Sequence, residues 1–222
     1  MKIRNLLLGA LCASVAMLTS CGGNSENSKE SLLKGRWLFL GMPFDSANAS
    51  GFELADAGVA FPVGANSYAF KSWLVDADTL YLTVDVPAAN DSTPATISTS
   101  KYIIKKACSD LLIISNGVVD ISYLRQNSVS KTPTKDLLKG RWIMFDGSAN
   151  VSGFELKDNG LAGTISSFPF TKWDLTDDNM LMLTTLDPAT NVESTIPYAV
   201  TYVSENLLKI NNGAVDIYYI RD

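Results

Sequence analysis

Histidine is absent from the 222 residues, and that absence alone removes most familiar catalytic centres. No Ser-His-Asp or Cys-His relay, no HExxH zinc site and no imidazole base can be assembled. Positive charge is short: 18 Lys and Arg stand against 23 Asp and Glu, a net charge of -5. That balance argues against the basic patch that nucleic-acid backbones require. No apolar run reaches the roughly 18 residues of a membrane-spanning helix. Hydrophobic residues make up 46% of the chain, which excludes a disordered polymer, and the length allows one or two domains.

What is present begins with an address. Lys2 and Arg4 precede an apolar stretch from Leu6 to Leu18, the pattern of a secretory signal peptide over residues 1–21. Its end, Leu18-Thr19-Ser20-Cys21, resembles the lipobox of bacterial lipoproteins. The resemblance implies that Cys21 is acylated, as by palmitate, and becomes the new N-terminus. Cys12 is a poor alternative because Leu11 precedes it. Each buried acyl methylene contributes about 0.8 kcal/mol, so several chains on one cysteine anchor stably. Residues 22–31, GGNSENSKES, read as a flexible tether. Gly22 rather than Asp after the cysteine points, within that resemblance, to the outer membrane of the cell envelope. Glu26 and Glu30 loosely resemble surface-export signals of Bacteroidetes lipoproteins. Removal of Lys2 and Arg4 takes the charge from -5 to -7. Cys108 is then left as a lone thiol, expected to be a small buried hydrophobe with no internal disulfide.

The remainder is one domain written twice. Leu32-Leu33-Lys34-Gly35-Arg36-Trp37 recurs as Leu137-Leu138-Lys139-Gly140-Arg141-Trp142, and Ser50-Gly51-Phe52-Glu53-Leu54 as Ser152-Gly153-Phe154-Glu155-Leu156. Trp73 matches Trp173, Tyr102 matches Tyr198, and Asn116 to Arg125 matches Asn212 to Arg221. The offset falls from 105 at the first motif to 96 at the last, as loop deletions in the second copy would leave it. The copies occupy 32–126 and 137–222, joined by a polar linker, 127–136.

Each copy reads as almost all strand, with turn signals every 8 to 12 residues. The expected strands in the first are 36–41, 50–54, 58–62, 67–75, 79–86, 96–107, 111–115 and 118–125. Asn116-Gly117 and Asn212-Gly213 predict hairpins with type I′ turns. Glu30 to Lys34 and Asp136 to Lys139 could form one helical turn each. The expected fold class is therefore all-β: two tandem small up-and-down antiparallel β-barrels of seven to eight strands, closed so that no edge is exposed. An open sandwich is the alternative.

Gly35-Arg36-Trp37 and Gly140-Arg141-Trp142, each opening a first strand, resemble the G-x-W signature of lipocalins. Each copy also ends on Arg125 or Arg221, and in that family a late arginine stacks on the first-strand tryptophan. The resemblance implies Trp37–Arg125 and Trp142–Arg221 cation–π pairs at the narrow end of each barrel. It is closest to the short lipocalin-like domains of Bacteroidetes lipoproteins. Both copies are about half the length of full lipocalins and lack a C-terminal helix.

No catalytic, metal or cofactor site emerges. The acidic run Asp174 to Asn179 lacks the Gly and Glu of a calcium loop and reads as a solvated turn. Matched acids Asp120/Asp216 and Glu53/Glu155 could pair as glycosidase carboxylates, but solvent-facing positions beside surface lysines such as Lys105 are the simpler reading. Phe52, Trp73, Tyr102, Phe154, Trp173 and Tyr198 are core aromatics or pocket walls. The leading expectation is a non-catalytic, membrane-anchored binding module holding a small apolar or amphipathic ligand. A filled structural module facing an envelope protein partner is the second reading, and an envelope enzyme is disfavoured. No nucleic-acid partner is expected, and the two copies are expected to unfold independently.

Overall fold

The structure is a computed structural model that describes residues 29–40, 49–64, 69–86, 96–144, 152–166 and 169–222. The signal peptide, Cys21 and most of the tether lie outside the described residues. The first copy contains a helical turn, α1 (Lys29–Leu33), and eight strands: β1 (Gly35–Phe39), β2 (Gly51–Leu54), β3 (Ala60–Val63), β4 (Phe70–Asp76), β5 (Thr79–Val86), β6 (Thr96–Ala107), β7 (Leu111–Ser115) and β8 (Asp120–Arg125). The second repeats the plan with α2 (Lys135–Leu138), β9 (Gly140–Met144), β10 (Gly153–Leu156), β11 (Ala162–Ile165), β12 (Phe170–Leu175), β13 (Met180–Leu186), β14 (Glu193–Val203), β15 (Leu207–Asn211) and β16 (Asp216–Arg221).

Each copy folds into one antiparallel sheet, ordered β3-β2-β1-β8-β7-β6-β5-β4 in the first and identically in the second. Chain neighbours pair, and β8 returns beside β1, which makes an up-and-down barrel. Single bridges, Val59 to Ser72 and Leu161 to Lys172, nearly close the two seams. Period-two alternation builds the interior. Leu80 and Leu82 turn inward with Trp37, Phe52, Leu54, Leu112 and Ile114. Leu181, Leu183, Leu208 and Ile210 do the same around Trp142 and Phe154.

Three local expectations are corrected. β3 starts at Ala60 because Asp56–Gly58 forms a tight 3-10 turn. The Asn116-Gly117 hairpin is not type I′: only Gly117 has positive φ, at 90°. Instead the Asn116 side chain accepts hydrogen bonds from Val118 N and Val119 N, both at 2.9 Å. That fold-over places Val118 and Val119 in the turn and starts β8 at Asp120. The last residues of the segment read as tether belong to α1.

The barrels are not beads on a free string. Leu40 packs in a cluster with Leu207 and Tyr218 of the second barrel, flanked by Leu124 and Ile220. The buried Asp110 carboxylate accepts from Asn206 Nδ2 at 3.1 Å and from the Tyr202 hydroxyl at 3.3 Å. Asp110 and Asn206 are the same position of the repeat, as are Leu124 and Ile220, so the two copies meet through equivalent surfaces. Lys106 Nζ donates to the Arg221 carbonyl at 2.7 Å. The linker is tied down as well, with Lys131 N donating to Val203 O at 2.8 Å. Thr134 caps α2, its hydroxyl accepting from Leu137 N at 3.1 Å.

Candidate ligand site

One end of each barrel is plugged. The Arg125 guanidinium lies 4.1 Å from the centre of the Trp37 ring, and Arg221 lies 4.1 Å from that of Trp142. Each arginine also donates to three carbonyls: Ser109, Lys34 and Leu32 for Arg125, and Glu205, Lys139 and Leu137 for Arg221. Burial lowers both guanidinium pKa values from their ordinary range, yet arginine stays charged. The tryptophans are held from the other side, their Nε1 donating to Leu33 O and Leu138 O at 2.7 Å. Here the short helices have their use: they present carbonyls to both partners of the stack. The glycine of each G-x-W follows from the same geometry. Gly35 and Gly140 hold φ at 124°, and a Cβ there would collide with the arginine Nη1.

The opposite end of the first barrel opens into a cup of about 480 Å³. Its wall is aromatic and aliphatic: Phe39, Phe52, Phe70, Tyr102, Ile121 and Tyr123, with Val119 and Asn116 from the β7–β8 turn. The rings grip one another edge to face, Phe52 to Phe70 at 5.7 Å and Phe39 to Tyr123 at 6.0 Å, with Phe52 to Tyr123 tilted at 4.7 Å. The second barrel keeps this cluster, with Phe154 4.7 Å from Tyr219 and 6.0 Å from Phe170. Burial pushes the Tyr198 and Tyr219 phenols up from their ordinary pKa, so both are neutral at physiological pH.

The six aromatics singled out in the sequence divide by position. Phe52 and Tyr102 line the cup, and Phe154 and Tyr198 pack in the second core. Trp73 and Trp173 are 5% exposed and staple β4 and β12 to the turn after β2 and β10, donating to Ala55 O at 2.8 Å and Lys157 O at 2.9 Å. Phe39, Phe70, Ile121 and Tyr123 were not singled out. The repeat carried the signal, since Phe70, Ile121 and Tyr123 recur as Phe170, Ile217 and Tyr219.

The matched acids do not assemble. Glu53 is ion-paired to Arg36, Glu155 to Lys157 and Asp216 to Lys209; these are the lysine and arginine partners, in place of Lys105. In the run from Asp174 to Asn179, Asp174 is paired to Lys135 at 2.6 Å. Among the described residues no cluster of three metal-ligating side chains exists. Cys108 is buried, at 1% exposure, but it is disulfide-bonded rather than a lone thiol. Its partner lies outside the described residues, as do Cys12 and Cys21.

A larger concavity of about 850 Å³ lies on the second barrel, where Lys135, Lys139, Lys157 and Lys172 gather around Trp173. Each of those lysines already holds a carboxylate: Asp174, Asp136 with Asp158, Glu155 and Glu193. The groove is therefore a self-neutralised surface without free charge for a ligand, and the smaller cup is the better-built site.

The model of the lipocalin-like family matches residues 29–126 and again 134–222. A lipocalin-like protein from Bacteroides thetaiotaomicron, of solved structure, is 22% identical, over 42% of this chain and 95% of its own, with a TM-score of 0.36. No curated protein matches the chain. With two family matches spanning most of its length, the chain belongs to the lipocalin-like family as a tandem pair of domains.

Proposed function

We propose that this is a lipid-anchored lipoprotein of the cell envelope whose barrels bind small apolar or amphipathic molecules without catalysis. The 480 Å³ aromatic cup carries the reading: it is concave, apolar and open at the end opposite the arginine plug. The anchor rests on the lipobox-like Leu18-Thr19-Ser20-Cys21 and is a proposal from sequence, as is the outer-membrane location. Native mass spectrometry of protein released gently from its own envelope tests both parts. Extra mass removable by organic solvent identifies the cargo. A mature mass carrying acyl groups at Cys21 supports the anchor; Cys21 can hold an acyl chain or a disulfide, not both. Replacing Cys21 by Ala is expected to release the protein from the membrane fraction.

A filled module that presents its surface to an envelope protein is the second reading. The observation favouring it is the turn tip beside the cup, where Val118 is 89% and Val119 53% exposed. A clean mass without cargo would favour it.

A further inference from the structure

We infer that the cup of the first barrel accepts neutral or cationic ligands and rejects anions, an inference that rests on the ligand-binding reading above. Among the described residues the cup is lined without a lysine or arginine; its polar groups are the hydroxyls of Ser50, Tyr102 and Tyr123 and the Asn116 amide. Lys71 is the basic residue beside Phe70 at that end of β4, and it is exposed and spent on Asp85 at 3.1 Å. The sequence agrees: residues 40–50, 64–69, 87–95 and 116–119 hold no Lys or Arg. In the second copy the corresponding residues 145–152, 166–169, 187–192 and 212–215 hold no Lys or Arg either. Lys34 with Arg125, and Lys139 with Arg221, lie instead at the plugged ends.

The second barrel adds a hydroxyl. Ser152, the counterpart of Ser50, is 8% exposed, and its Oγ has no hydrogen-bond partner among the described residues. By strand alternation it shares the inward face with Phe154. An anion entering the cup would lose its hydration with no counter-charge to replace it, whereas a cation would find ring faces.

The test uses the full chain and two probes with one skeleton: N-phenyl-1-naphthylamine, which is neutral, and 1-anilinonaphthalene-8-sulfonate, its anionic counterpart. The neutral probe is expected to bind at least about tenfold more tightly, read as fluorescence enhancement. Val118→Lys, which places a cation at the exposed turn tip beside the cup, should tighten the sulfonate and leave the neutral probe within about twofold. Sulfonate binding equal to or tighter than neutral binding in the wild-type chain overturns the charge inference and leaves the ligand-binding reading standing. Binding of neither probe overturns both. The wild-type ratio decides even if a lysine variant fails to fold.

Discussion

The two barrels agree at the plugged end and disagree on the outer wall. Trp37 with Arg125 and Trp142 with Arg221 reproduce the same 4.1 Å stack, the same three carbonyl acceptors and the same glycine. Around the seam between third and fourth strands the copies part. Val59, Phe61 and Leu74 are exposed apolar residues in the first barrel, 38, 50 and 62% accessible. Leu161 keeps the exposed apolar character of Val59, at 54%, but the counterparts of Phe61 and Leu74 are Gly163 and Asp174, with Lys157 and Lys172 nearby. The difference separates what the fold requires from what water tolerates. A plug residue touches several groups at once, so substitution there leaves buried carbonyls unpaired; an outer-wall residue exchanges one hydrated neighbour for another.

The largest effect should come from glycine. A Cβ at Gly51 would run into the Trp37 carbonyl, and one at Gly153 into the Trp142 carbonyl, so β1 and β2, or β9 and β10, would have to part. Gly51→Ala and Gly153→Ala should each cost more than about 3 kcal/mol, seen as loss of the thermal transition by circular dichroism. Unequal losses would break the equivalence of the copies. Arg125→Ala and Arg221→Ala come next. Each removes a cation–π contact, about 0.5 to 2 kcal/mol, and strands three carbonyls, so a total near 3 kcal/mol is expected. Arg125→Lys should recover less than half of that, because an ammonium cannot reach three acceptors from one plane.

Asp110→Ala tests the seam between barrels. Tyr202 and Asn206 would lose their shared acceptor at a buried site, costing about 1 to 3 kcal/mol. Calorimetry should show one transition in the wild-type chain and two in the variant. Two transitions already in the wild type would mean that the barrels melt independently despite the seam. The same contact predicts an alkaline response. Burial first, then the Asp110 charge, raises the Tyr202 pKa to about 12. Its folded pKa therefore lies above its unfolded value near 10, so its contribution is intact below pH 10 and lost as pH rises towards 12. Lys106 titrates with the opposite sign. Its pKa is lowered chiefly by burial and only partly restored by Asp222, so the cost of holding it charged is relieved as pH climbs towards its unfolded value. Tyr202→Phe should remove the alkaline loss at the seam and leave the Lys106 relief in place.

The repeat, the strand order and the plug were legible because each leaves a local mark: a recurring segment, period-two alternation, a G-x-W with an arginine in the last strand. The turn at Asn116 was misread since Asn-Gly fits both a type I′ hairpin and a side-chain-capped longer loop, and only the register of β7 on β8 chooses between them. The seam was invisible for a different reason. Leu40, Leu207 and Tyr218 look like ordinary alternating strand residues, and the face they turn to each other is the outward one. Four of the six aromatic and aliphatic residues of the cup wall were missed because a side chain that fills a core and one that lines a cup carry the same pattern; the difference is depth along the barrel, which alternation does not encode.

The smallest effects should lie on the outer wall of the second barrel. Lys157 and Lys172 hold Glu155 at 3.2 Å and Glu193 at 2.6 Å, with all four side chains at least 37% exposed. Exposed pairs of this kind contribute about 0 to 1 kcal/mol, since solvent screens the attraction and the long side chains lose rotamer freedom. Changing Lys157→Ala and Lys172→Ser, towards the residues that the first barrel carries, should move the chain's melting temperature by no more than a few degrees and leave neutral-probe binding unchanged. A drop comparable to that of Arg221→Ala would mean that the lysine groove supports the fold. A loss of probe binding at constant stability would move the ligand site from the cup to the groove. Either result would overturn the division between a constrained interior and a freely drifting wall that the two copies display.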